Sequence, residues 1–374
     1  MSFIHDVILN EEDICNLSRE KKILNHGIEN GKKLVVYGRR NSGKTSLLKN
    51  VIIPKFEKKN KSAFVIFCDF MEVKDIDSIA LRLRVSFEKA FMKAFPKETF
   101  VKQIKNFLVG LRPQITVDPL TGETSLSITA EKAGQEVSLE SIFEILGKKI
   151  ATKMNVLIVL DEFQDISFVP EAQGLFRDAL QKMGKIPVVI MGSKKHLLAK
   201  MFAVPDAPFA DFGVDIEFND IPYEEYHAYC QERLSKKGIK LSLENSTIWQ
   251  NLMCRNAEAM NILGAYILEN FSNKNINELD LRKSIESIIS ERGSRYEEYI
   301  GHLLTSEQEV LIAIAKYGPV LEPSSKEFIK NLKSAHATIL KAVRNLENHS
   351  YIEKTMQGYQ LVNPMLKYYL LKNR

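Results

Sequence analysis

The 374-residue chain has no apolar run that approaches the ~18 residues a membrane-spanning helix needs. Its longest runs, such as 156–160, have the length of buried strands. The opening residues Met-Ser-Phe-Ile-His-Asp lack the basic-then-apolar layout of a secretory leader. There is no C-x-x-C pair: Cys15, Cys68, Cys230 and Cys254 lie far apart, which predicts reduced thiols, neither disulfides nor metal ligands. The expected setting is the cytoplasm, with no membrane partner. A net charge of +5 is too small to demand a nucleic-acid partner and permits one. With 45% hydrophobic and 26% charged residues, the composition is that of a globular protein. The length calls for two or three domains.

Against that plain background one stretch stands out. Leu34, Val35, Val36 and Tyr37 form a strand-like run, and Gly38-Arg39-Arg40-Asn41-Ser42-Gly43-Lys44-Thr45 then reads G-x-x-x-x-G-K-T, a phosphate-binding loop. Gly38 and Gly43 let the backbone turn so that successive N–H groups converge on an anion. Lys44 supplies a mobile cation for the β- and γ-phosphates, the Thr45 hydroxyl can ligate Mg²⁺, and Ser46 opens a helix whose N-terminus favours negative charge.

Some 115 residues on, 156–160 is a continuous apolar strand ending in Asp161-Glu162. Carboxylates at the C-terminal end of a central strand lie where open α/β sheets bind ligands. Asp161 would join the Mg²⁺ shell and Glu162 would orient and deprotonate the attacking water. The next strand ends in Met191-Gly192-Ser193, and Ser193 reads either as a γ-phosphate reader or as a helix N-cap. Charge developing on γ-phosphoryl oxygens calls for a further cation, for which Arg39, Arg40, Arg177 and Arg255 are candidates, with Arg177 the first choice.

Strands and helices alternate across 34–221, with further strands at 63–69, 186–193 and 215–218, which predicts a parallel sheet with helices on both faces. Pro54 and the lysine-rich 55–61 are expected to end the helix after the loop. Residues 75–110 carry helical spacing. Period-two alternation at 114–129 about Asp118-Pro119-Leu120-Thr121-Gly122 predicts a β-hairpin insert, expected to be a surface flap that touches another copy or partner. Residues 222–300 show helical periodicity alone, and 301–374 read as three helices and a hairpin, a winged helix-turn-helix. Ser306 with Glu309 is the expected capping box of its first helix. The chain thus divides into a core at 1–221, a helical segment at 222–300 and a winged helix at 301–374. That last segment holds ten Lys and Arg against six Asp and Glu. Its third helix is expected to expose Ser334, His336, Thr338, Lys341, Arg344 and Asn345, types that reach bases and phosphates.

These features resemble the archaeal-ATPase group of AAA-type P-loop NTPases, in the STAND clade. The likeness is carried by Asn16, Arg19 and Glu20 before the first strand, by 38–47, by Leu160-Asp161-Glu162-Phe163-Gln164, and by 190–193 with Lys195 and Gln181. It implies ATP as ligand, with Mg²⁺, slow ATPase activity, Arg19 near the nucleotide and a helical lid at 222–300. The absence of an Asn/Thr-Lys-x-Asp guanine motif also favours ATP. The chain departs from the pattern at 208–212, where Ala210-Asp211-Phe212 replaces an arginine cluster, and at 256–259, where no proline appears. Two functions stay open: an ATPase whose winged helix contacts double-stranded DNA, and a nucleotide-gated signalling or protein-interaction switch without direct DNA binding.

Overall fold

The computed structural model describes residues 2–5, 7–95, 111–117, 124–130, 138–330, 332–355 and 357–374. They fall into two compact units, one formed by Leu17–Arg39 with Gly43–Asn219, the other by Met1–Asn16, Arg40–Ser42 and Asp220–Arg374.

The first unit is the core. After α1 (Ser18–Glu29) come β1 (Lys33–Gly38), α2 (Lys44–Leu47), a π turn (Leu48–Ile52), α3 (Ile53–Lys59) and β2 (Ala63–Asp69). Next are α4 (Ile76–Ala94), β3 (Leu111–Val117), β4 (Thr124–Ala130), α5 (Leu139–Ile145) and a second π turn (Leu146–Ile150). Then follow β5 (Asn155–Asp161), a 3₁₀ turn (Phe163–Phe168), α6 (Pro170–Lys182), β6 (Val188–Gly192), α7 (Lys195–Phe202) and β7 (Val214–Phe218). The central sheet is fully parallel, in the order β2-β5-β6-β1-β7. Its inner strands β1, β5 and β6 are near-continuous apolar runs because helices cover both faces, every residue from Val156 to Leu160 being buried, whereas the edge strands β2 and β7 bury alternate residues. The chain leaves β1 for the far edge at β2 and returns on the other side at β7. Strand β1 is therefore the topological switch point, and β6 lies between β1 and β5.

Two sequence expectations change here. The helix after the loop does not stop at Pro54. That proline is the second residue of α3, directly after a π turn, where the change of bonding pattern accommodates a residue without an N–H. The inserted hairpin is not a loose flap, since Leu126 and Ile128 are buried in the core cluster with Phe87 and Phe91 of α4. The Ile128 backbone also donates to Glu88 (2.7 Å) and accepts from Arg84 (3.0 Å). The hairpin's turn at 118–122 and the end of the helical stretch at 96–110 lie outside the described residues.

The second unit contains α8 (Tyr223–Leu234), β8 (Lys240–Leu241), α9 (Leu243–Leu252), α10 (Ala257–Asn270), β9 (Asn275–Ile276), α11 (Glu278–Glu291) and α12 (Gly293–Gly301). Strands β8 and β9 form a short parallel pair where helical periodicity alone was expected. The chain continues with α13 (Thr305–Tyr317), α14 (Lys326–Ile329), α15 (His336–Asn348), the antiparallel pair β10 (Ile352–Thr355) and β11 (Gly358–Leu361), and α16 (Pro364–Asn373). Helix α16 is an addition to the expected three helices and a hairpin. Asn363 caps it, accepting from the N–H groups of Met365 and Leu366, and Met365, Leu366 and Leu370 are buried. The expected Ser306–Glu309 box is absent. Helix α13 starts at Thr305, and Glu307 accepts from the Leu304 N–H at 3.0 Å, while Glu309 accepts from the Ser334 hydroxyl at 2.6 Å. One apolar core runs through 222–300 and 301–374 without a break, holding Trp249, Leu263, Leu311, Ile339 and Leu366 together.

Residues 2–5 and 7–16 pack within this second unit. Phe3 is buried against Tyr229 and Trp249 (ring centroids 5.8 and 6.0 Å). Arg233, only 1% exposed, donates to the Ser2 carbonyl at 3.0 Å and the Glu12 carbonyl at 3.1 Å, and lies 3.5 Å over the Tyr229 ring. Among the described residues no helix is long and apolar enough to cross a membrane.

Candidate nucleotide site

The site is built at the C-terminal ends of β1, β6 and β5. Strand β1 delivers Gly38, and the loop re-enters a helix at Gly43, whose φ of +84° is the left-handed region that glycine adopts without strain. Lys44 is buried, and its ammonium donates to the carbonyls of Gly38 (3.0 Å) and Arg39 (2.8 Å) of its own loop. Thr45 follows with its hydroxyl donating to Asp161 Oδ2 at 2.9 Å. This contact joins the loop to the carboxylate 116 residues later. Ser46 is buried in α2. Arg40, Asn41 and Ser42 belong to the second unit, where the Asn41 amide donates to the Glu258 carboxylate.

Asp161 ends β5, paired in register with Asp69 at the end of β2. Burial, then the nearby Glu162 charge, pushes the Asp161 carboxyl up to about 6, with Asp69 adding to the rise and the Thr45 hydroxyl opposing it. A divalent cation would relieve the repulsion in such a carboxylate group. Its oxygen ligands, one hydroxyl and one carboxylate, suit the hard Mg²⁺ ion.

Glu162 turns away from the strand with φ +48°, ψ +37°, a left-handed conformation that costs a non-glycine residue energy. Two donors converge on its Oε2: the Ser193 hydroxyl at 2.9 Å and the Gln164 amide at 2.6 Å. The same Gln164 amide donates to Asp165 Oδ1 at 3.1 Å. Asp165 is itself held by the Glu72 N–H at 2.9 Å and by Lys194 at 3.4 Å. Gln164 is 1% exposed and fits because residue 192 is glycine: a Cβ there would stand 2.1 Å from Gln164 Oε1. Beneath this turn Phe163 packs edge-on to Phe176 and Phe209 (centroids 5.2 and 5.5 Å), which anchors the residues on either side of it.

Ser193 therefore stands beside Glu162, not at the start of α7, whose N-cap is Lys194 with no side-chain cap bond. Arg177 on α6 directs its guanidinium to the Pro208 and Ala210 carbonyls and lies 5.8 Å from the Phe212 ring. Arg255 donates to the Ile221 carbonyl and lies 4.2 Å over the Tyr223 ring. Arg19 is an exposed side chain on α1, 3.9 Å from Glu20. On α15, His336, Thr338, Lys341 and Arg344 are exposed, the last three at a spacing of three on the side opposite Ile339 and Val343. Ser334 and Asn345, expected to be exposed with them, instead bond Glu309 and Glu307. In the sequence Gln164 is visible only as part of a motif, and neither Asp165 nor Lys194 announces its role. The available signal was two polar residues between Phe163 and Ile166, in a segment otherwise built for burial.

A family model described as "Probable winged helix domain" matches residues 294–372. No curated protein sequence matches the chain. Among solved structures, a Walker-type ATPase of Pyrococcus abyssi aligns over 99% of this chain and 100% of its own, with a TM-score of 0.63 at 16% identity. An Orc1 protein of Aeropyrum pernix, solved in complex with DNA, aligns over 99% of this chain and 95% of its own (TM-score 0.54, 12% identity). An Orc2 protein of the same organism, solved with ADPNP and ADP, aligns over 99% and 97% (TM-score 0.50, 13% identity). At these identities the likeness establishes architecture: the chain has the fold of P-loop ATPases, a parallel sheet with helices on both faces, and ends in a winged helix domain.

Proposed function

We propose that the protein binds Mg²⁺–ATP at Gly38–Thr45 and hydrolyses it slowly, and that nucleotide state drives a conformational switch. The observation that carries this reading is the 2.9 Å contact of Thr45 with Asp161, next to a Glu162 carboxylate held by Ser193 and Gln164. Backbone N–H groups of the loop and the α2 N-terminus would bind the phosphates, and Lys44 would exchange its two carbonyl partners for phosphate oxygens. Thr45 and Asp161 would hold Mg²⁺, which when bound supplies charge neutralisation at the β- and γ-phosphates. Glu162, with Oε2 engaged by two donors, presents Oε1 to a water. It accepts that water's proton as the new O–P bond forms and the bond to the β–γ bridging oxygen breaks, leaving ADP and phosphate.

Two observations bear on the output. The exposed stripe of Thr338, Lys341 and Arg344 on α15 supports contact with double-stranded DNA. The unbroken core through 222–300 and 301–374 supports the second reading, a protein-interaction switch in which the lid and winged helix move as one body. Phosphate release measured with Mg²⁺, with EDTA, and with added duplex DNA tests both. Mg²⁺-dependent turnover is expected, stimulation by duplex favours the DNA reading, and no turnover in any condition refutes the ATPase reading.

A further inference from the structure

Lysines crowd the strand starts of the core sheet. Four segments meet there: 29–33 after α1, 55–62 at the end of α3, 148–155 before β5 and 182–187 before β6. The Asn155 N–H donates to the Ser62 carbonyl (2.8 Å), and Lys33 donates to the carbonyls of Gly184 and Ile186 (2.6 Å each), so the segments form one surface. They hold eleven lysines, two glutamates and no arginine; the start of β7 adds Asp211. At the centre is a recess of about 400 Å³, floored by Ile28, Ile52, Phe56 and Pro187 and rimmed by Lys55, Lys59 and Lys185.

Helix C-termini alone do not account for this charge. Four helices end here, and each terminus carries about half a negative charge, so about two lysines would balance them. Glu29, Glu57 and Asp211 offset three more, and the ion pairs Lys148–Glu144 and Lys182–Asp178 another two. An excess of about four positive charges is left on one concave face, where the recess focuses their potential. The winged helix spreads the same excess over all of 301–374.

The chemistry of the face selects the ligand. Protein interfaces are enriched in arginine and aromatic residues and depleted in lysine, the reverse of this composition. Stable seating on a bilayer needs apolar insertion, and none of the exposed large hydrophobic side chains falls in the four segments. Lysines that track a backbone around a recess with one aromatic wall match single-stranded nucleic acid, whose phosphates take the cations and whose bases stack. We propose that the strand-start face of the core is a binding site for single-stranded nucleic acid, seating phosphates on Lys55, Lys58, Lys61 and Lys185 and one base in the Phe56 recess.

The test is a fluorescence-anisotropy titration of the full chain with a labelled single-stranded 20-mer, across about 50 to 200 mM salt. Changing all four lysines to Gln is expected to weaken binding at least tenfold and to flatten the log K against log salt slope by about three, since each single-strand phosphate contact contributes about 0.7. The matching Lys→Arg variant keeps the charge and is expected to bind as wild type does. Lys341→Gln/Arg344→Gln, on the winged helix, is expected to leave single-strand binding unchanged whatever it does to duplex binding. Far-ultraviolet circular dichroism confirms that each variant is folded. The proposal is overturned if the wild type does not bind the 20-mer, if the Lys→Gln variant binds equally, or if the α15 variant abolishes binding. A duplex bound as tightly as the single strand through the same four lysines, or phosphatidylserine vesicles captured with the same lysine dependence, would also overturn it.

Discussion

Replacing Gln164 with leucine tests how the site holds its catalytic carboxylate. Gln164 is buried and donates one amide to two carboxylates, Glu162 at 2.6 Å and Asp165 at 3.1 Å. Leucine has nearly the same volume, so the fit beside Gly192 is kept while both charge-assisted bonds are lost. Each such bond contributes about 1.5–3 kcal/mol. Asp165 retains the Glu72 N–H and Lys194, and Glu162 retains Ser193, so the net loss of stability is expected at about 2–4 kcal/mol. For turnover, the loss of one of two tethers on Glu162 corresponds to a fall in kcat of about 10- to 100-fold. KM is expected to stay within twofold, because the Gln164 hydrogen bonds go to Glu162 and Asp165 and not to the phosphate loop. Steady-state phosphate release below the unfolding midpoint, with ATP varied, separates the two parameters. A kcat within twofold of wild type, or a KM that rises while kcat holds, would show that Gln164 only supports the fold. Gln164→Glu, which places a third carboxyl group between Glu162 and Asp165, is expected to lower kcat further than leucine does.

Other consequences follow from the same geometry. Thr45→Ala removes the hydroxyl 2.9 Å from Asp161 and is expected to raise the Mg²⁺ concentration for half-maximal phosphate release at least tenfold; an unchanged Mg²⁺ titration would contradict that role. Arg233→Ala strips a buried cation from the Ser2 and Glu12 carbonyls and from Asp13, and is expected to cost about 3–5 kcal/mol. It should also make residues 2–16 an early proteolytic site, and a wild-type digestion pattern would refute the anchoring role. Burial pushes the Cys15 and Cys68 thiols up to about 12 and Cys230 well above its ordinary value. At pH 8 about one Cys68 thiol in 10⁴ is then ionised, so the buried Cys68 and Cys230 should react with a disulfide reagent only after unfolding. Rapid labelling of either of these two in the native protein would contradict the packing.

Much of the architecture was legible because it rests on local signals. The apolar runs of β1, β5 and β6 announce strands buried on both faces, and the glycines of the loop mark its turn; β2 reads the same way, yet as an edge strand it buries only Phe64, Ile66 and Cys68. Other features depend on partners distant in sequence. Pro54 reads as a helix end, since nothing local reveals a π turn that accommodates it. Glu309 is placed correctly for a capping box with Ser306, yet its carboxylate is drawn to Ser334, twenty-five residues away. Leu126 and Ile128 look like one side of an exposed ribbon until the aromatic side chains of α4 are brought beneath them. The short pair β8–β9 has two residues in each strand, too few for any period to register. Likewise Asp161 and Glu162 can be read from the strand that carries them, whereas the hold of Ser193 and Gln164 on Glu162 exists only once β6 lies beside β5.

The most direct test is single-turnover hydrolysis of radiolabelled ATP by the wild type and by Glu162→Gln, alongside equilibrium binding of the same nucleotide. The account predicts that both bind Mg²⁺–ATP with similar affinity and that the variant cleaves it at least a hundredfold more slowly. Equal cleavage rates, or loss of binding in the variant, would contradict the assignment of Glu162 as the base that activates water.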